Sequence, residues 1–160
     1  GGFTDFLLQH GAAAVWALDV GSGQLHDKIR NDPRVQVIEK TNFRYYQPPM
    51  NWDLITADVS FISLTLIIEN IYACLKPTGS AVILVKPQFE LTPSDIEKSG
   101  VVSDPALRQR AIDRVKTAAI QVGFIVRGIA PAGITGEHGN QEYFLMLQRS
   151  DRTNASGADL

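Results

Sequence analysis

Apolar runs and helical-period segments take turns along this chain, and that alternation restricts it to an α/β architecture. AAAVWALDV, RVQVIE, DLITADVS and SAVILVKP read as strands, ending respectively at Asp19, at Glu39, near Asp58 and at Lys86. A short helix is expected in GSGQLHDKIRNDPR, between the first two. Between the last two, Leu64, Ile67, Ile68, Ile71, Tyr72 and Leu75 fall on one helical face, and Lys76, Pro77 and Gly79 end that helix. Near the start, Phe3, Phe6, Leu7 and His10 also have helical spacing, with Gly11 placed to close the helix. A long helix is expected from Pro105 through Val122, followed by strands GFIVRGIAP and EYFLMLQR. Those two strands have no helix between them, so they should run antiparallel. The predicted fold class is therefore α/β: a mostly parallel sheet with an antiparallel last strand and helices on both faces.

At 160 residues and 44% hydrophobic content the chain can bury one substantial core, so one domain is expected over residues 1–149, with a polar tail over 150–160. A net charge of −2 is too small for polyanion binding through bulk electrostatics. Arg30, Arg34, Lys40 and Arg44 form a loose basic cluster, for which a solvated face is the preferred reading over an RNA contact. The single cysteine, Cys74, falls in a helical pattern and reads as a packing residue. With His10, His26 and His138 scattered, no metal site is expected. There is no apolar stretch of roughly 18 residues, and a cytoplasmic protein is the default.

Lys86 ends the run AVILVK immediately before Pro87. Proline disfavours a helical backbone in the residue before it, so the lysine should stay extended at the carboxyl end of its strand, where α/β sheets bind ligands. Asp19 and Asp58 end other strands, and Glu142 begins a strand running the opposite way, which brings its start to the same edge. Each of the four is alternatively a solvated strand terminus. ALDVGSG admits two further readings: a glycine turn on a first strand, or an acid ending a second strand and placed to accept hydrogen bonds from ribose hydroxyls. A full dinucleotide fingerprint fails at His26, so a dehydrogenase is disfavoured.

GGFTD, ALDVGSGQL, DPRV, TNFR, DVSFISL, LVKPQFE, KSGVV and GNQEYF, in this order, resemble the haemolysin A or TlyA family. These are FtsJ-like S-adenosylmethionine-dependent ribosomal RNA methyltransferases. The resemblance implies a Rossmann-like class I methyltransferase three-layer sandwich in which ALDVG ends the second strand. It also implies that the first strand, a first catalytic lysine and an S4-like RNA-binding domain lie upstream of Gly1. A chain beginning at Gly1 is then expected to bind the methyl donor weakly or not at all and to be weakly active or inactive. By the same resemblance Asp58, Lys86 and Glu142 belong to a Lys-Asp-Lys-Glu set that methylates a ribose 2′-hydroxyl, with cytidine as the target. Gly1, Gly2, Asp19, Asn42, Phe43 and Asp58 are implied in cofactor binding. The implied cofactor is S-adenosyl-L-methionine, and the implied partners are ribosomal RNA or ribosomal subunits.

A ribose hydroxyl is a weak nucleophile that must be held in line with the sulfonium methyl and relieved of its proton. Flanking carboxylates favour a charged Lys86, so its expected role is positioning and activation rather than that of a simple free base. Two other readings remain open here: a haemolysin or membrane-active protein, and a noncatalytic nucleotide-binding domain.

Overall fold

In the computed structural model, which describes residues 1–150, helices and strands alternate in the expected order. The chain divides into two compact units, Gly1–Gln47 and Pro48–Leu160. Of the expected polar tail, residues 151–160 lie outside the described residues.

The first unit contains helix α1 (Gly2–Gln9), strand β1 (Val15–Leu18), the short helix α2 (Asp27–Arg30) and strand β2 (Val35–Ile38). β1 and β2 pair in parallel, with Val15 opposite Val35 and Leu18 opposite Ile38. The loops leaving them are also tied, by Thr41 N–H to the Asp19 carbonyl and Lys40 N–H to the Gly21 carbonyl, each at 3.0 Å. Leu8 and Val15 are buried here. The guanidinium of Arg34 pairs with Asp32 and donates to the Leu8 carbonyl, while Arg30 pairs with Glu39. Two of the four residues in the basic cluster are thus engaged internally.

The second unit holds strand β3 (Trp52–Ala57), helix α3 (Ile68–Cys74), strand β4 (Leu75–Val85), helix α4 (Pro105–Val122) and strands β5 (Phe124–Pro131) and β6 (Tyr143–Arg149). Its sheet order is β3-β4-β6-β5, with β3 and β4 parallel and β6 antiparallel to both its neighbours. Ala81, Ile83 and Val85 of β4 alternate into the core and meet Leu145 and Leu147 of β6 on the same face. That face packs against α3 and against the buried stripe Ala111, Ile112, Val115 and Ala119 of α4. Each fully buried large apolar side chain contributes about 1.5–3 kcal/mol, so this layer dominates the unit's stability. Cys74 is part of it, and burial pushes its thiol up from the ordinary value.

The six strands form a two-stranded sheet in the first unit and a four-stranded sheet in the second. One expectation changes. The helix ending at Cys74 passes straight into β4: Leu75 is already extended and pairs with Trp52, after which Lys76–Gly79 bulge out before Ser80 pairs with Leu54. Pro77 explains why the helix stops, but not that the strand resumes on its far side.

α4 covers the expected span. Asp104 accepts a hydrogen bond from the Ala106 N–H at 2.9 Å, Pro105 occupies the first turn, and Gly123 closes the helix at φ 119°, a left-handed conformation that favours glycine. Replacing Asp104 with alanine is expected to cost about 1 kcal/mol in urea unfolding. An unchanged stability would show that the cap is idle.

Candidate active site

The carboxyl edge of the second unit's sheet collects the charged residues. Asp58 follows β3 directly and Lys86 follows β4 directly. Glu142 precedes β6, whose antiparallel register places Val85 opposite Tyr143; one step further, Lys86 lies opposite Glu142. The backbone of Lys86 is extended, at φ −111° and ψ 101°, as Pro87 requires.

Lys86 Nζ lies 2.6 Å from Asp58 Oδ1 and donates to Ser60 Oγ at 3.1 Å. The lysine side chain is 13% exposed and that of Asp58 is 49% exposed. A pair with one half in water adds at most about 1 kcal/mol to stability, whereas a mostly buried ammonium without a partner would be costly. The pair therefore matters chiefly for where it holds Nζ. An ammonium has three N–H groups, and Asp58 and Ser60 take two.

Glu142 is 7% exposed. Its carboxylate occupies the space left by Gly136, where an added Cβ would overlap it. Nearby, buried Asn140 accepts from the Val102 N–H and donates to the Gly100 carbonyl, each at 2.9 Å, fastening the KSGVV loop to the segment that carries Glu142.

Between Ser60 and α3 the chain adopts an unusual turn. Phe61 has φ 63°, which costs a bulky residue strain, and it is 84% exposed with its ring centroid 5.1 Å from that of Phe89. Sequence reasoning singled out neither Ser60 nor Phe61. DVSFIS displays both residues, but neither their register against Lys86 nor the left-handed backbone shows in residue type.

The first unit carries the other expected residues. Asp19 is exposed just past β1, with Oδ1 accepting the Gly21 N–H at 2.9 Å and Oδ2 open. Asn42 caps the turn Phe43–Tyr45 by accepting the Arg44 N–H at 3.0 Å, so the turn-residue reading of Asn42 describes its oxygen. Phe43 is half-buried in that turn, its ring centroid 6.4 Å from that of Tyr46. Gly1 faces protein: a Cβ there would lie 3.3 Å from Leu25 Cδ2 and 3.4 Å from Ile29 Cδ1, while Gly2 opens on free space. Glu39 accepts the Gly23 N–H at 3.0 Å, which with Arg30 lowers its carboxyl below the ordinary value and holds the GSG turn against the end of β2.

The FtsJ-like methyltransferase family profile matches residues 1–149. The chain belongs to the FtsJ-like methyltransferase family. This FtsJ-like chain is 44% identical over 156 residues to the 16S/23S rRNA (cytidine-2′-O)-methyltransferase TlyA of Mycobacterium tuberculosis, covering 95% of the chain and 58% of that relative's length. A hemolysin-type protein of known structure from Lactococcus lactis is 42% identical with a TM-score of 0.90, over 94% of this chain and 74% of that one. The chain thus falls in the TlyA/haemolysin A group and spans little more than half of TlyA itself. An S-adenosylmethionine-dependent methyltransferase from Mesorhizobium loti has a TM-score of 0.67 at 14% identity, over 92% of this chain and 85% of that one, which shows the fold alone. The fold is Rossmann-like α/β with a mixed sheet. Among the described residues no helix is long and apolar enough to cross a membrane.

Gly136→Ala should leave this FtsJ-like fold intact, because the overlap is with the mobile end of a side chain, but should drive the Glu142 carboxylate from its position. A crystal structure of the variant with Glu142 unmoved would contradict this account of the glycine.

Proposed function

We propose that the full-length protein transfers a methyl group to a ribose 2′-hydroxyl of ribosomal RNA, with cytidine as the target nucleoside. Ribosomal RNA or ribosomal subunits in the cytoplasm are its partners. The observation that carries this reading is the Lys86 ammonium, held by Asp58 and Ser60 with one N–H to spare, at the sheet edge of a chain similar to a cytidine-2′-O-methyltransferase.

That third N–H of Lys86 donates to the 2′-oxygen and turns its lone pair toward the reacting methyl. Charge on Nζ stabilises the oxygen as its proton is lost. Asp58 Oδ2, on the half-exposed side of the pair, accepts that proton, while Glu142, just before β6 and making no ion pair with Lys86 among the described residues, adds its negative charge at the same edge. S-adenosyl-L-methionine supplies an electrophilic methyl group when bound. The residues present fit this cofactor: the open Oδ2 of Asp19 suits ribose hydroxyls, Gly2 opens on free space beside Gly1, and Asn42 and Phe43 offer an amide and an apolar ring to adenine. The exposed ring of Phe61 offers a face on which an unstacked nucleobase can lie.

Full-length protein given tritiated S-adenosylmethionine and ribosomal subunits should place label in RNA that digests to 2′-O-methylcytidine. Label on a base, or none in RNA, would overturn the proposal.

A further inference from the structure

Glu90 is a buried acid to which the proposed reaction gives no role. It is 2% exposed, yet both its oxygens are engaged by the loop that follows β3. Oε2 accepts from Ser63 Oγ at 2.5 Å, and Oε1 accepts the Leu64 N–H at 2.8 Å. Ser63 has one hydroxyl proton to donate; with that O–H directed at Glu90, its lone pairs accept from the Thr65 N–H at 3.1 Å and the Thr65 hydroxyl at 2.7 Å. From the opposite side Arg114 of α4 donates to the Glu90 carbonyl at 2.8 Å. Burial pushes the carboxyl up from its ordinary value, and the bonds from Ser63 and Leu64 and the charge of Arg114 oppose that shift. Every polar contact of this side chain is therefore spent on joining two loops.

Those two loops carry the halves of the Lys86 ion pair. Glu90 stands four residues after Lys86, in a turn closed by Phe89 N–H to the Lys86 carbonyl at 2.9 Å and Glu90 N–H to the Pro87 carbonyl at 3.1 Å. Ser63 stands three residues after Ser60 and five after Asp58. The Phe61–Phe89 ring contact joins the same two loops, but through an exposed side chain. The buried, doubly bonded carboxylate is the firmer tie, because an unmet partner in the interior costs more than a lost contact at the surface.

We propose that Glu90 is a positioning residue for methyl transfer: by bridging the loops after β3 and β4 it sets where Lys86 Nζ stands against Asp58 and Ser60. It touches neither the methyl donor nor RNA. The proposal rests on the reading of the Lys86 site as the methyl-transfer site.

The test uses the full-length protein as Glu90→Ala, Glu90→Gln and Ser63→Ala. Two readouts are taken below the melting temperature: the 15Nζ resonance of Lys86 without donor or RNA, and kcat and KM with S-adenosylmethionine and ribosomal subunits. Glu90→Ala should shift the Lys86 resonance and lower kcat roughly 10- to 100-fold, as expected for misplacement on the scale of 1 Å. KM for S-adenosylmethionine should stay within about twofold, since binding of the donor is untouched. Glu90→Gln should restore most of both signals, because an amide can accept from Leu64 N–H and donate to Ser63 Oγ. Ser63→Ala should fall between, and it decides the matter if Glu90→Ala does not fold. A folded Ser63→Ala or Glu90→Ala protein with unchanged kcat or an unchanged Lys86 resonance overturns the proposal. So does a loss in Glu90→Gln as large as in Glu90→Ala, which would assign the effect to charge rather than to bridging. If the parent protein transfers no methyl group, the functional reading fails, while the Lys86 resonance still reports whether Glu90 places that lysine.

Discussion

β4 is hydrogen-bonded on both sides, in parallel to β3 and antiparallel to β6, and the placement of Asp58, Lys86 and Glu142 depends on that double ladder. A strand held on both edges cannot slip by one residue without turning Ala81, Ile83 and Val85 out of the core. Its exit point is therefore fixed. Because β3 runs with it, the loop after β3 emerges beside Lys86 and delivers Asp58 and Ser60 to Nζ. Because β6 runs against it, the residue before β6 arrives at the same edge, and that residue is Glu142. One parallel and one antiparallel neighbour thus bring a lysine, two carboxylates and a hydroxyl to one edge from three separate stretches of chain.

The energetic weight lies elsewhere. Buried aliphatic side chains between the sheet and α3 and α4 supply most of the stability, and the Lys86–Asp58 pair adds little. This division lets the edge carry costly features. Phe61 sits in a left-handed backbone with an exposed ring, and Glu90 keeps a carboxyl in the interior. Both lie in the loops after β3 and β4, within a few residues of the ion pair, as expected where a rigid core supports strained and polar positions at a working edge.

Much of this was legible in the sequence because it follows from local pattern. The apolar run before Lys86, the extended backbone that Pro87 imposes on it, and the start of α4 at Pro105 are each decided within a few residues. The pairing of Lys86 with Asp58 was reachable because both end strands that neighbour each other in the fold class. The bonds of Ser60 to Lys86 and of Ser63 and Leu64 to Glu90 span 26 or 27 residues and depend on register, which residue type does not reveal. For the same reason the space left by Gly136 for Glu142 was invisible: glycine there reads as one more loop residue, and its use appears only with the side chain beside it. The passage from α3 into β4 was misread because Lys76, Pro77 and Gly79 signal a helix end but say nothing of a strand already begun at Leu75.

The central claim is that Asp58 and Lys86 act on the substrate oxygen as one unit. A double-mutant cycle of Lys86→Ala and Asp58→Ala, followed by single-turnover methyl transfer to ribosomal subunits in the full-length protein, tests it most directly. Each single variant should lose about 100-fold or more in rate, and the double variant little beyond the worse of the two, since a pair broken once cannot be broken again. Losses that multiply in the double variant, or a Lys86→Ala protein that transfers methyl at the parent rate, would contradict the account.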